Sequence, residues 1–283
     1  MIKLCAFSDE AADGLSGQID ALHRNDISLI EPRSIDGKNV SDFSEREAKE
    51  VFRVLDGEGI SVWSIGSPLG KVDIAQTSLT DFIDRAKHIC AVANALCADK
   101  VRAFSFFGAH ACGEKAVEYL NRAAEVARSF GVTLCHENEK EVYGDTVARV
   151  AELMQKLDGW QFVYDPANFI QVGETAETFL PLAKKCLYFH IKDVIADSGE
   201  LVPAGEGDGD IKGLISMIEG DTVLTVEPHL KVFSAYDRID GTRLQSKYGY
   251  RTNAEAFDAA VSALKACLCG CGYKYIDGAY CYG

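Results

Sequence analysis

Eight times along this chain, a short run of β-branched, aromatic and small apolar residues gives way to a stretch of helical periodicity. The runs are Ile2–Ser8, Ile27–Arg33, Ile60–Pro68, Lys100–Phe107, Val132–Glu139, Trp160–Phe169, Cys186–Val194 and Thr222–Leu230. Between them, apolar residues step by three and four, as one face of a helix requires. Phe82, Ala86, Ile89, Ala93 and Leu96 do so, as do Ala116, Leu120, Ala123, Ala127 and Phe130. Val147, Val150, Met154 and Leu157 repeat the pattern, and Phe257, Ala260, Val261 and Leu264 close it. Ser44 with Glu47 and Thr252 with Glu255 have capping-box spacing. Gly57, Gly59 and Gly131 fall where helices should stop. Strand–helix alternation implies a parallel sheet with right-handed crossovers. Eight such units in 283 residues, near the roughly 250 of a typical (β/α)8 barrel, predict a closed TIM barrel of the α/β class. We expect one domain over 1–283, with 270–283 as a C-terminal tail. The structural alternative is an open doubly wound sheet, which usually carries a Gly-rich phosphate loop after its first strand. Phe7-Ser-Asp-Glu-Ala-Ala-Asp-Gly14 is not such a loop.

In a barrel the chemistry sits at the C-terminal ends of the strands. Four consecutive predicted strands end in groups that can bind a metal. The fifth reaches Glu137, the sixth Asp165, the seventh His190 and the eighth Glu227. Their separations are each close to one βα unit, so the side chains come from neighbouring staves at one height. Three carboxylates facing one another in an apolar barrel would repel and resist ionisation. A divalent cation resolves this, with His190 as the single nitrogen ligand. The mostly hard donor set suits Mn²⁺ or Mg²⁺, with Co²⁺ or Zn²⁺ as further candidates. For any one of the four, a loop amide or a salt bridge is the competing role.

Strand parity adds a second set. Lys192 shares a face with His190, Arg33 with Glu31, and His229 with Glu227. Either cation could hold a substrate oxygen or phosphate, or pair with a neighbouring carboxylate. Lys71, in Ser-Pro-Leu-Gly-Lys, is a loop residue that could close over substrate. Glu31, Arg33, Lys71, Lys192 and His229 are thus the expected substrate contacts. His136 has the opposite parity to Glu137 and is expected to be structural; Trp63 is expected to pack in the core. Glu206, Asp208 and Asp210 are read as a solvated acidic turn rather than a second metal site.

The formal net charge is −14, which argues against a polyanionic partner, since nucleic-acid affinity rests on Lys and Arg. No run approaches the roughly 18 apolar residues of a membrane span. The N-terminal apolar run is short and is followed at once by Asp9 and Glu10, unlike a signal peptide. Ten cysteines without an export signal read as reduced thiols of a cytoplasmic protein. Cys267, Cys269, Cys271 and Cys281 lack the C-x2-C spacing of a zinc knuckle and are expected to be tail thiols without a role.

The motifs His-Glu137-Asn, Tyr-Asp165-Pro-Ala-Asn, His190-Ile-Lys-Asp and Glu227-Pro resemble those of the sugar phosphate isomerase/epimerase family, the xylose isomerase-like TIM barrels. Ile30-Glu31-Pro-Arg33, Gly66-Ser-Pro-Leu-Gly-Lys71 and Gly205-Glu-Gly-Asp-Gly209 are weaker marks. The resemblance implies that Glu137, Asp165, His190 and Glu227 bind one divalent metal. It also implies that Glu137 and Glu227 are the acid/base pair of a proton transfer through an enediolate. Epimerases of the family often carry a substrate-touching His three residues after the sixth-strand Asp; this chain has Asn168 there, and the resemblance implies that it is a further substrate contact without a titratable group. The implied partner is a small keto-sugar, polyol or sugar phosphate, with a homo-oligomer as an open option and neither nucleic acid nor membrane as a partner. The competing readings are a lyase on the same scaffold, such as a keto-inositol dehydratase, an endonuclease IV-like phosphodiesterase, and a non-catalytic sugar-binding barrel.

Overall fold

A computed structural model describes residues 1–233 and 248–283 of the chain. Eight staves close a parallel barrel. They are Ile2–Ala6, Leu29–Ile30, a third stave in two pieces (Ser61–Val62 and Ile65–Leu69), Lys100–Ala103, Thr133–Glu137, Gln161–Tyr164, Tyr188–Ile191 and Thr222–Val226. The eighth stave pairs in parallel with the first, from Ile2 opposite Thr222 to Ala6 opposite Val226. Ser61–Val62 pairs with the second stave and Ile65–Leu69 with the fourth. The chain between them, Trp63-Ser64, carries the ring across the break. The molecule is a single-domain (β/α)8 TIM barrel, as the alternation predicts.

Nine α-helices are described: α1 Leu15–Arg24, α2 Glu45–Gly57, α3 Leu79–Ala95, α4 Gly113–Ser129, α5 Val147–Lys156, α6 Pro166–Gln171, α7 Ala176–Phe179, α8 Ile211–Met217 and α9 Asn253–Gly270. At Ser44 both halves of the capping box form. At Thr252 only one does: Glu255 accepts instead from the backbone N–H of Arg251 at 3.0 Å. Gly57 is the last residue of α2, and the left-handed turn that follows falls at Gly59.

The helices bury their apolar faces against the outside of the barrel, in one continuous core. Inside the barrel, a separate cluster of Cys5, Cys135, Val163, Tyr188 and Val223 packs with Leu29, Trp63 and Leu187. Trp63 thus packs in the core, edge-on to Tyr188. These residues plug the barrel below the strand ends, so a site at the mouth has a floor.

Two strand ends differ from the sequence expectation. The sixth stave stops at Tyr164 because Asp165 caps α6, its side chain accepting from the Asn168 N–H, with Pro166 in the first turn. An Asp followed by Pro is a helix-start signal that overrides the apolar run. The seventh stops at Ile191, and Asp193–Val194 leaves the barrel to pair with Leu201–Val202. The C-terminal segment is built into the fold. Tyr273–Ile276 and Ala279–Tyr282 form a hairpin whose Tyr280 pairs with Ile2 at the start of the first stave. All ten cysteines are free thiols, and Cys267 is buried with its Sγ 3.3 Å from the Ala204 carbonyl.

Candidate active site

The barrel mouth is built by side-chain alternation. Above the apolar plug, inward positions turn polar: Glu31 and Arg33, Arg102, Glu137, His190 and Lys192, and Thr225, Glu227 and His229. All are buried.

Glu31 lies lowest. Its carboxylate accepts from the Tyr188 hydroxyl at 3.0 Å and the Thr225 hydroxyl at 3.2 Å, and sits 3.1 Å from His190 Nε2. Burial works against its ionisation, but His190, Arg102 and Tyr188 hold its pKa below the usual carboxylate range. Placed beneath the imidazole rather than in the mouth, Glu31 fixes the His190 ring so that Nδ1 points upward. Nδ1 lies 2.8 Å from Glu137 Oε1 and 3.3 Å from Glu227 Oε2. Burial favours neutral His190, yet Glu137 and Glu31 outweigh it and raise its pKa well above the ordinary value.

Glu137, His190 and Glu227 therefore converge, each offering a donor atom within 4.8 Å of the others'. Asp165 is fully buried but stands outside this trio, with Oδ2 3.0 Å from Lys192 Nζ. Its pKa is raised to about 7, first by burial and then by Glu137 and Glu227, against the pull of Lys192. Glu137 Oε2, Asp165 Oδ2 and Glu227 Oε2 make no hydrogen bond among the described residues. Neighbouring cations approach all three, but at angles that form none: Arg102 is 3.2 Å from Glu137 Oε2, for example.

Arg33 is saturated. It donates from Nε and Nη2 to both Asp9 oxygens at 3.0 Å, from Nη2 to Glu10 Oε1 at 3.3 Å and from Nη1 to Glu227 Oε1 at 2.8 Å. Its plane lies over Phe7 and Phe233. Gly66 makes room for this: a Cβ there would stand 2.5 Å from Phe7 and 3.2 Å from the Arg33 Cβ. Of the two readings left open for Arg33, pairing with carboxylates is the one observed. Lys192 pairs likewise with Asp165, and donates to Asn168 Oδ1 at 2.9 Å. Asn168 spends its other amide end on the Asn138 carbonyl, while the Asn138 side chain brackets the Asp165 backbone. Lys71 reaches Glu139 at 2.6 Å, over the Phe104 ring. His229, at φ +47°, has Nε2 3.4 Å from Glu10 Oε1 and 3.5 Å from Glu227 Oε1. His136 points outward against Phe162, away from the mouth. Glu206 bonds Tyr248, Asp208 accepts from the Ala196 N–H and Asp210 caps α8, so each of the three has a local partner.

Arg102, Asp9 and Glu10 belong to this cluster and were missed by motif reading. Arg102 donates to the Gly66 and Ser67 carbonyls and stands between Glu137 and Glu227, 3.8 Å from the latter's Oε1. Its signal was a second charge on the fourth strand, two residues after Lys100 and of the same parity. Asp9 and Glu10 follow the first strand directly, where barrel chemistry collects.

Among the described residues, Asp9, Glu10, Glu31, Glu137, Asp165 and Glu227 thus share three buried permanent cations, Arg33, Arg102 and Lys192. The Glu10 pKa is pushed up to about 8, chiefly by burial, with Glu227 and Asp9 adding to the rise against the pull of Arg33. The carboxylate excess, the unbonded oxygens and the upward Nδ1 together fit a divalent cation at the mouth.

Fold and site define a (β/α)8 barrel with a carboxylate-rich, histidine-bearing centre at its catalytic end. The chain belongs to the xylose isomerase-like TIM barrel family, whose model matches residues 19–259. No curated protein sequence matches it. Several solved structures share the fold. IolI with a bound zinc atom is 19% identical, with 94% of this chain and 97% of that one covered and a TM-score of 0.71. The probable 3-DHS dehydratase AsbF of petrobactin synthesis from Bacillus anthracis is 16% identical, covering 94% and 99%, with a TM-score of 0.70. D-psicose 3-epimerase in the presence of D-fructose is 15% identical, covering 93% and 97%, with a TM-score of 0.68. No described helix is long and apolar enough to cross a membrane.

Proposed function

We propose that the protein is a divalent-metal-dependent isomerase or epimerase of a small keto-sugar, polyol or sugar phosphate. One observation carries the reading. Glu137 and Glu227, from the fifth and eighth staves, flank His190 Nδ1, and each keeps a carboxylate oxygen that makes no hydrogen bond.

Glu137, Asp165, His190 and Glu227 are the residues that would hold the ion. Bound there, it would polarise a substrate carbonyl and so acidify the neighbouring carbon-bound proton. Glu31 orients the imidazole and fixes its tautomer, the second-layer role a metal histidine requires. Arg33 holds one oxygen of Glu227 and Arg102 stands between the two glutamates, so both carboxylates keep a set direction. One glutamate takes the proton and the other returns it to the opposite face, giving epimerisation. Return by a single carboxylate to the adjacent carbon gives isomerisation. Lys192, Asn168, Lys71 and His229 line the approach and would contact substrate oxygens by exchanging present partners for them.

A lyase is the second reading, since dehydration beside a carbonyl begins with the same proton removal and a structural neighbour is named a probable dehydratase. The test is a panel of ketoses, ketose phosphates and keto-inositols with Mn²⁺ in D₂O, read by NMR. Deuterium at a carbon next to the carbonyl, with an isomeric product, supports the first reading. An ultraviolet-absorbing product short of one water supports the second. Specific ligand binding with neither exchange nor turnover would leave a binding barrel and refute both.

A further inference from the structure

The four expected ligands do not exhaust the metal-binding chemistry at the mouth. Glu10, Glu227 and His229 are all buried, and a donor atom of each lies within 4.8 Å of the other two. His229 Nε2 stands 3.4 Å from Glu10 Oε1 and 3.5 Å from Glu227 Oε1. Ligands held tetrahedrally at about 2.05 Å from zinc are roughly 3.3 Å apart, so this is the spacing of atoms that share one ion. The trio meets the first centre at Glu227, which offers Oε1 to this side and Oε2 to His190.

A cation already sits among the three. Arg33 Nη1 is 2.8 Å from Glu227 Oε1 and 3.5 Å from His229 Nε2, and Nη2 is 3.3 Å from Glu10 Oε1. The guanidinium is buried between two aromatic rings and clamped by Asp9. Unlike a lysine or histidine, arginine cannot shed its proton to make way for a metal. A positive charge fixed in the middle of the trio therefore excludes a second ion while satisfying the same carboxylates.

We propose that Arg33 is a protein-borne stand-in for a second cation: its guanidinium fills a metal position made by Glu10, Glu227 and His229 and holds the centre to one ion. The ion this position would take without Arg33 is a borderline divalent metal, Zn²⁺, Co²⁺ or Mn²⁺, suited to one imidazole and two carboxylates. The inference extends the mononuclear centre proposed above, but its test reads separately.

The probe is Co²⁺ alone, counted by equilibrium dialysis with elemental analysis, its visible bands reporting coordination. The variant is Asp9→Asn/Arg33→Met, which removes the guanidinium and neutralises its clamp while leaving the trio intact. Wild type should bind one ion, the double variant two, and the double variant carrying His229→Leu one again. A folded double variant with wild-type stoichiometry overturns the inference, as does a wild type that takes two ions with Arg33 in place. A wild type binding none, beside a double variant that gains one ion lost again with His229→Leu, sinks the four-ligand centre and leaves this inference standing. Arg33→Gln, which keeps a donor toward Glu227, is the second variant and should also gain an ion. A variant that folds only with Co²⁺ is counted after refolding. If neither variant folds with or without the ion, the guanidinium is a structural strut and the inference is wrong.

Discussion

Replacing His136 with leucine should alter the response to acid far more than the stability at neutral pH. The ring is fully buried against Phe162, and neither nitrogen has a hydrogen bond. Burial pushes its pKa down from the usual 6.5 to about 3. Between those values the unfolded chain binds a proton that the folded protein refuses, so stability rises with pH in that window and is lost as pH falls below about 6.5. At pH 5 an unfolded histidine of pKa near 6.5 is almost wholly protonated while the folded ring is neutral, which costs about 2 kcal/mol relative to pH 7. The figure barely changes for any folded pKa below about 4, since the folded ring is already uncharged at pH 5. Leucine has no proton to gain, and it removes two polar atoms that lack partners, so it should be neutral or mildly stabilising at pH 7. Urea unfolding followed by circular dichroism at pH 7, 6 and 5, with equal m-values, measures the difference. Wild type should lose about 2 kcal/mol more than His136→Leu between pH 7 and 5. Parallel stability curves for the two proteins would refute the reasoning, because every other titrating group is common to both.

The mouth supplies further tests. Glu137→Gln and Glu227→Gln should each retain some metal yet lose turnover by roughly a hundredfold or more; near-normal turnover of either on the true substrate removes it from the acid/base pair. Glu31→Gln should weaken metal binding by about 10–100-fold through a less well-oriented His190, and unchanged affinity in a metal titration would confine Glu31 to packing. Asp165→Ala should also lower metal affinity, checked by elemental analysis after dialysis, and full retention would leave Glu137, His190 and Glu227 as the whole ligand set. Because His190 is held protonated by Glu137 and Glu31, metal uptake at neutral pH should release a proton, and affinity should rise with pH. Calorimetry in buffers of different ionisation enthalpy would show that proton, and an identical heat in each would show there is none.

The barrel was legible because its signal repeats: eight apolar runs and the helices between them had only one closed arrangement to satisfy. The polar mouth was legible where strand parity and strand end coincide, as at Glu137, His190 and Glu227. Parity also separated His136 from Glu137 correctly. What parity could not give was height. Glu31 has the same inward direction as Arg33 but lies one step deeper, under the imidazole of His190. Nor could a linear reading see partners brought from distant staves. Asp9 and Arg33 pair across 24 positions and Arg33 and Glu227 across 194, and no local pattern announces either bond. Arg102 was passed over because its strand looked like core. The break after Tyr164 was written in the Asp-Pro pair, but the apolar residues on both sides masked it.

The end of the seventh stave and the residues just past it divide two tasks. His190 and Lys192 turn inward, while Asp193, the next residue, turns away and gathers the backbone N–H groups of Val194, Gly205, Gly207 and Gly209 on its carboxylate. Gly207 tolerates no larger residue there, since a Cβ would stand 2.4 Å from Asp193 Oδ1. A whole loop beside the mouth thus hangs from one side chain that takes no part in the convergence of Glu137, His190 and Glu227. Between the glycines, Glu206 and Asp208 add bonds of their own, to the Tyr248 hydroxyl and the Ala196 N–H. The convergence at the mouth and the support of its neighbouring loop thus depend on different side chains within four consecutive positions, His190 to Asp193.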